Sequence, residues 1–109
     1  MTRRVVGRID DLINTGGERV WPDQVEAALR DHPGVRDVAA GGRLDREWGQ
    51  HVAVWVVPAD PADPPSLEEL RAFAARTLPR YAAPRELTLA DRLPRTLSGK
   101  LRRAALPRD

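Results

Sequence analysis

The sequence predicts an α+β domain, with an N-terminal β-hairpin and a mixed sheet of about three strands flanked by three helices. Three observations predict it. Two adjacent glycines separate β-prone segments near the N-terminus, apolar residues recur at helical spacing in two segments, and the near-continuous apolar run HVAVWVVP at 51–58 is typical of a central strand covered on both faces. With 109 residues, the chain 1–109 is predicted to form a single domain.

The first predicted elements are a hairpin and a helix. The β-prone segments 12–14 and 19–20 flank residues 15–18, whose two glycines allow the positive φ angles of a tight hairpin turn. Pro22 suits the first position of a helix, and Pro33 ends that helix.

Strands are predicted next. A strand is expected over 35–42, a polar connection over 43–49, and the central strand over 51–58. The proline-rich stretch 58–66 is expected to be a surface loop.

The last third of the chain combines a helix, a strand and a short helix. Ser66 and Glu69 form a capping box at the start of a helix that runs to Leu78. Residues 85–91 alternate apolar and polar side chains and predict a half-buried strand, and a short helix is expected over 101–105.

Composition excludes several classes of site. The chain has no cysteine, and its two histidines, His32 and His51, lack metal-ligand spacing, so no thiol chemistry and no metal site are predicted. The net charge of +2 does not demand a nucleic-acid partner. No apolar run approaches the ~20 residues of a membrane span and no hydrophobic leader follows Met1, so a cytoplasmic protein is expected.

One basic residue differs from all the others. Lys100 is the only lysine among 18 basic residues, and the rest are arginine. The simple interpretation is a chance lysine on a solvated surface. The functional interpretation is a site that needs a compact ammonium on a flexible stem rather than a broad planar guanidinium.

Three parts of the chain, in this order and spacing, resemble the C-terminal domain of the adenylate-forming superfamily, which includes AMP-forming acyl- and aryl-CoA synthetases and peptide-synthetase adenylation domains. They are GRIDDLINTGGERVWPDQVEAAL at 7–29, HPGVRDVAAGG at 32–42 with DREWGQHVAVWVVP at 45–58, and LPRTLSGKLRRAAL at 93–106. The first and the last look more like acid-CoA ligases than peptide synthetases. The pieces TGG, VWP and VEAAL within 15–29, together with APREL at 83–87, are similar to o-succinylbenzoate-CoA ligases.

The resemblance implies a reaction in two steps. A carboxylic acid and ATP form an acyl-adenylate and pyrophosphate; the C-terminal domain then rotates on the N-terminal domain, and the thiol of coenzyme A displaces AMP. Lys100 matches the catalytic lysine of the first step, on a loop that includes Ser98 and Gly99. An ammonium in this position bridges carboxylate and phosphate oxygens and stabilises the charge of the transition state.

The resemblance also assigns residues near the N-terminus. Asp10 matches the hinge about which the domain rotates, and Arg8 matches an arginine near the nucleotide. The hairpin residues that approach the pantetheine and phosphates of coenzyme A in the second orientation are Gly16, Gly17, Glu18 and Arg19. Simpler alternatives are that Asp10 caps a turn, that Arg8 pairs with a nearby acid, and that the glycines only form the hairpin turn.

The family's motifs for ATP, Mg²⁺ and the acid belong to a large N-terminal domain, and none of them is found in these 109 residues. The chain alone is therefore expected to be inactive and to bind no cofactor, and its expected partner is that domain, in the same chain or in trans. ATP, a carboxylic acid and coenzyme A are the expected substrates of the complete enzyme. Two alternatives stay open, a peptide-synthetase adenylation domain and a non-catalytic module that binds anions or nucleic acid. The chain has no recognisable nucleic-acid-binding motif, and neither nucleic acid nor a membrane is expected as a partner.

Overall fold

The computed structural model describes residues 11–106, which form an α+β domain. Within this range the elements follow the order β1 (Ile13–Thr15), β2 (Glu18–Val20), α1 (Pro22–Arg30), β3 (Val35–Asp45), β4 (Gly49–Pro58), α2 (Leu67–Ala74) and β5 (Glu86–Leu89). Single 3₁₀ turns lie at Arg80–Ala82 and Arg103–Ala105. No helix in this part of the chain has the length and apolar character needed to cross a bilayer.

All five strands in the described residues belong to one mixed sheet. Strands β2, β1, β4 and β3 lie side by side and are antiparallel, whereas β5 runs parallel to β4. Because β3 occupies one edge of β4, strands β1 and β5 share its other edge. The mixed sheet is confirmed, and it exceeds the expected three strands because the hairpin β1–β2 joins the same sheet.

The predicted polar connection at 43–49 is wrong, because most of it is strand. The β3–β4 ladder continues to the pair Asp45–Gly49, which leaves only 46–48 as a turn. The polar side chains are accommodated by pairing across strands: the Arg43 guanidinium lies 3.1 Å from a carboxylate oxygen of Glu86 on β5. Paired charges therefore extend the ladder beyond its apolar part.

The two α-helices begin where the sequence predicts. Pro22 is the first residue of α1. Before α2, the Glu69 amide donates to Ser66 Oγ at 3.1 Å and the Ser66 amide donates to Glu69 Oε1 at 3.0 Å, so the capping box is confirmed. Helix α2 ends at Ala74, earlier than predicted, and the chain continues in turns. The third predicted helix is only a 3₁₀ turn.

The sheet is covered on both faces, as predicted for its central strand β4. Both α-helices pack on one face, over a core that includes Val25, Leu29, Val54 and Leu70. On the opposite face, Trp55 packs with residues of the C-terminal segment 93–106. That segment contains Lys100, so the loop that carries the lysine is part of a layer fixed to the sheet.

Candidate functional site

The Lys100 loop, residues 95–101, is a tight and ordered turn. Arg95 and Leu101 form an isolated antiparallel bridge at its base. The Thr96 amide donates to the Lys100 carbonyl at 2.7 Å, and the Gly99 amide donates to the Thr96 carbonyl at 2.9 Å. Gly99 has a φ of +92°, a backbone conformation that L side chains rarely adopt. The glycine before the lysine is therefore required by the turn itself.

The Lys100 side chain is exposed, and its ammonium forms no hydrogen bond or ion pair with any group in residues 11–106. Its backbone is fixed, because the Lys100 amide donates to Thr96 Oγ1 at 3.0 Å. That hydroxyl also lies 3.1 Å from Ser98 Oγ. The loop thus holds the backbone of Lys100 and leaves its charge available to a ligand.

Arg95 attaches the Lys100 loop to strand β3. Its guanidinium contacts both carboxylate oxygens of Asp37, at 2.6 Å through Nη2 and 3.2 Å through Nε. Its Nη1 donates to the Gly99 carbonyl at 3.0 Å. One side chain therefore joins the sheet, the start of the loop and the residue before the lysine.

Arg103 fixes the C-terminal segment to the other side of the domain. Its Nη2 lies 2.8 Å from Oε2 of Glu26 on α1, and its Nε donates to the Ala40 carbonyl at 3.2 Å. The same Glu26 oxygen accepts the Ala40 amide at 2.8 Å. Burial raises the pKa of the Glu26 carboxyl, although the Ala40 amide and the Arg103 charge oppose that shift. The Glu26 carboxylate is buried and the Arg103 guanidinium is partly buried, so this ion pair is not a solvated surface contact.

The glycine hairpin between β1 and β2 packs on the turn between β3 and β4. The predicted hairpin is present, and its turn is shorter than the expected 15–18: only Gly16 and Gly17 lie between the strands, with φ angles of +58° and +86°. The Gly16 amide donates to the Trp48 carbonyl at 2.8 Å, and a Cβ on Gly16 would lie 2.6 Å from Cε3 of Trp48. No described atom lies within 4 Å of a Cβ placed on Gly17. One glycine is needed for packing, and the other faces open space.

The hairpin strands have a buried side, with Ile13, Thr15 and Val20, and exposed positions on the outer strand β2. Glu18 and Arg19 are both exposed. Trp48 packs under this turn. The Arg85 guanidinium covers the Trp48 ring and lies 4.8 Å from the ring centroid. The hairpin therefore presents bare backbone and two charged side chains on a fixed support.

A histidine and two carboxylates lie in contact with one another beside this end of the sheet. The two ring nitrogens of His51 lie 3.0 Å from Asp45 Oδ2 and 2.7 Å from Glu86 Oε1. Asp45 also accepts the amides of Trp48 and Glu47, and these backbone hydrogen bonds lower the pKa of its carboxyl. These contacts order the β3–β4 turn on which the hairpin rests.

The Lys100 loop and the glycine hairpin lie at opposite ends of the β3–β4 ladder. Arg95 is attached at Asp37, whereas the hairpin pairs with Gly49, the partner of Asp45. Asp45 lies eight positions after Asp37 on β3, a span of about 26 Å at about 3.3 Å per residue. The predicted site residues thus form two groups on one rigid sheet and not a single cluster.

The remaining sequence-based assignments have different outcomes. Asp10 and Arg8 lie outside the described residues. Within 11–106, no group of three or more His, Cys, Asp or Glu side chains could hold a metal ion. The acidic partners of Arg95 and Arg103 and the support that Trp48 gives the hairpin are not predicted from the sequence. The motif LPRTLSGK contains Arg95, but no local signal identifies a partner 58 residues away.

Comparison with known proteins identifies the family. The family model described as "AMP-binding enzyme C-terminal domain" matches residues 24–100. A probable 2-succinylbenzoate–CoA ligase of Mycobacterium tuberculosis is 53% identical over 104 residues, which cover 95% of this chain and 27% of that protein. A medium/long-chain-fatty-acid–CoA/3-oxocholest-4-en-26-oate–CoA ligase of Mycobacterium marinum is 42% identical, over 91% of this chain and 18% of that protein.

A solved structure agrees with these relatives. The o-succinylbenzoate CoA synthetase of Bacillus subtilis, in complex with the acyl-adenylate intermediate OSB-AMP, matches with a TM-score of 0.85 and 35% identity, over 95% of this chain and 21% of that chain. This chain therefore spans about a fifth to a quarter of the length of these proteins. From the family model, the relatives and the shared fold, we conclude that the chain belongs to the AMP-binding enzyme C-terminal domain family.

Proposed function

We propose that this chain is the mobile C-terminal domain of an AMP-forming acid-CoA ligase, in which Lys100 supplies the catalytic charge for adenylation. The observation that carries the proposal is the state of Lys100: an ordered loop fixes its backbone, while its ammonium is exposed and has no partner in residues 11–106. The relatives that cover most of this chain are named as CoA ligases, and one matching structure holds an acyl-adenylate.

In the first step, a carboxylate attacks the α-phosphate of ATP, forming an acyl-adenylate and releasing pyrophosphate. Both reactants are anions, and negative charge increases on the phosphate oxygens in the transition state. An ammonium placed at the oxygens between them offsets this charge without transferring a proton. Lys100 can deliver this charge because nothing described in its own domain competes for it.

In the second step, the domain turns and presents the glycine hairpin, and the thiol of coenzyme A attacks the acyl carbon and displaces AMP. Gly17 fits a position along a narrow channel, because its surroundings are open and it has no side chain to obstruct a pantetheine arm. The exposed Arg19 guanidinium is suited to the phosphates of the coenzyme.

The partner in this proposal is an N-terminal domain that binds ATP and the acid. No group of three or more His, Cys, Asp or Glu side chains within 11–106 could hold Mg²⁺, so the partner domain would hold that ion. The acid itself is selected there. An o-succinylbenzoate-type substrate is favoured by the 53% identity to a probable 2-succinylbenzoate–CoA ligase.

The test joins the chain in frame to an N-terminal adenylating domain, for which that mycobacterial relative is the matched choice. Adenylation is measured as acid-dependent exchange between ATP and pyrophosphate, and thioester formation is measured from a supplied acyl-adenylate. Lys100→Ala is expected to slow adenylation by about 10² to 10³ and thioester formation much less. Arg102→Ala removes an exposed charge two residues away and should leave both rates near those of the parent.

A variant of the hairpin tests the second half of the proposal. Arg19→Ala is expected to raise the KM for coenzyme A while the adenylation rate stays unchanged. The proposal assigns adenylation to the Lys100 end of the domain and thioester formation to the hairpin end. It would be contradicted if Lys100→Ala and Arg19→Ala each slowed adenylation and thioester formation equally. The chain alone is expected to show no acid-dependent pyrophosphate release.

A further inference from the structure

We propose that the ion pair between Asp37 and Arg95 is a positioning device for Lys100, needed for adenylation and dispensable for thioester formation. This inference rests on the proposed function of Lys100. Asp37 and Arg95 would act indirectly, by holding the loop that carries Lys100 against strand β3.

Every nitrogen of the Arg95 guanidinium has a hydrogen-bond partner. All three guanidinium nitrogens are used: Nε and Nη2 bind the two oxygens of Asp37, and Nη1 donates to the Gly99 carbonyl. A planar fork matches a carboxylate in this bidentate arrangement, and a lysine ammonium cannot reproduce it. The fork therefore fixes the direction of the loop relative to the sheet, in addition to its distance.

The carboxylate is fixed as well. Asp37 follows a register irregularity in β3, between Val35 and Asp37, and its Oδ1 accepts the amide of Val38 at 2.9 Å. The Asp37 side chain thus has one preferred direction, toward the face of the sheet that the C-terminal segment covers. Strand, carboxylate, guanidinium and loop form a continuous series of contacts that ends one residue before Lys100.

The exposure of the pair argues against a role in global stability. The side chains of Arg95 and Asp37 are 34% and 27% exposed, and ion pairs near the surface add little to the stability of a fold. A reaction that needs the ammonium within hydrogen-bonding distance of two anions responds differently, because a displacement of about 1 Å can cost about 10²-fold in rate. The main effect of the pair is therefore expected in catalysis and in the local order of the loop.

A competing explanation is that Arg95 contacts the nucleotide directly. Two substitutions separate the explanations. Asp37→Asn keeps the arginine and releases it from its carboxylate, which slows adenylation if Arg95 positions the loop and leaves it unchanged or faster if Arg95 binds phosphate. Arg95→Lys keeps the charge and removes the fork, so it should behave like Arg95→Ala only under the positioning mechanism.

The first measurement uses the 109-residue chain itself. Amide hydrogen exchange is followed by NMR at Thr96 and Gly99, whose amides close the turn. Asp37→Asn and Arg95→Lys are expected to accelerate exchange at both amides by about tenfold or more, with core amides of β4 unchanged. Arg92→Ala removes a nearby exposed charge and is the matched control. Unchanged exchange in the loop overturns the inference.

The second measurement uses the complete two-domain enzyme described above. Asp37→Asn and Arg95→Lys are each expected to lower kcat of adenylation by about 10- to 100-fold, without a comparable effect on thioester formation from supplied acyl-adenylate. If Lys100→Ala abolishes adenylation and these two variants do not slow it, the positioning role is wrong and the proposed function stands. If Lys100→Ala leaves adenylation intact, both are wrong.

Discussion

Replacing Arg103 by methionine should destabilise the domain strongly, because it leaves a buried carboxylate without its cation. Glu26 is only 6% exposed, and after the substitution its remaining hydrogen-bond partner in the described residues is the Ala40 amide. Removing one partner of a buried ion pair costs about 3–5 kcal/mol. At about 4–8 °C per kcal/mol for a domain of roughly this size, Tm should fall by at least about 12 °C.

The pH dependence of this loss identifies its cause. Burial raises the pKa of Glu26 above its ordinary value of 4.5, so the folded state takes up a proton before the unfolded state as pH falls. The contribution of this group to stability therefore increases as pH falls through the folded pKa and is lost as pH rises. Without the opposing charge of Arg103 the pKa rises further, so the deficit of the variant should be largest at neutral pH and shrink on acidification.

The assay is urea denaturation followed by tryptophan fluorescence at neutral and mildly acidic pH. The double variant Arg103→Met/Glu26→Gln is the control, because glutamine keeps an oxygen for the Ala40 amide and removes the buried charge. It should recover most of the loss. A deficit below about 1 kcal/mol, typical of an exposed pair, would refute the reasoning. So would a deficit that does not change with pH, or a double variant no better than the single one.

Three further substitutions test the end of the sheet that carries the hairpin. Gly16→Ala places a Cβ 2.6 Å from the Trp48 ring, whereas the Cβ of Gly17→Ala meets open space and suffers only the strain of a positive φ. Urea denaturation should therefore show a larger loss of stability for Gly16→Ala than for Gly17→Ala. Equal losses would contradict the packing of Gly16 on Trp48. Asp45→Asn concerns a carboxyl whose pKa is lowered by hydrogen bonds from the Trp48 and Glu47 amides. The ionised Asp45 carboxylate stabilises the fold above pH 3.8, the ordinary pKa that it has in the unfolded chain, and this stabilisation is lost as pH falls through the lower pKa of the folded state. The variant should therefore show a flatter fall of Tm with acid than the parent, and parallel curves would contradict this.

The parts of the fold that sequence predicts well are those with local causes. The start of α1 at Pro22, the capping box of Ser66 and Glu69, and the turn at Gly16 and Gly17 each depend on residues within four positions of one another. A proline, a pair of reciprocal hydrogen bonds and two positive φ angles need no knowledge of the rest of the chain.

The errors have long-range causes. Polar residues at 43–49 read as a loop, because the carboxylate that pairs with Arg43 lies on β5, far along the chain. The C-terminal arginines could not be assigned partners, since Arg103 meets Glu26 across 77 residues. Only the folded sheet brings these charges together, and periodicity carries no information about which acid an arginine will meet.

The candidate site also divides into a part that local sequence predicts and a part that depends on long-range contacts. Lys100 is conspicuous in the sequence as a lone lysine after a glycine, and the structure leaves it exposed. The loop geometry that presents it depends on Asp37 and Arg95, which are 58 residues apart, and no pattern in the sequence links them. The sequence therefore singles out Lys100 by its type and context, whereas the contacts that hold its loop are visible only in the coordinates.

The rigidity of the β3–β4 ladder constrains how the two ends of the domain could serve one reaction. The two strands pair continuously from Asp37 to Asp45, so no bend within the sheet can bring the Lys100 loop and the glycine hairpin together across about 26 Å. The loop at one end is held by a carboxylate of the ladder, and the hairpin at the other rests on the turn that closes it. If both act on the same acyl group, as we propose, the whole domain must turn as a unit between the two steps. The internal geometry described here should then be the same in both orientations, and the movement must be absorbed outside residues 11–106.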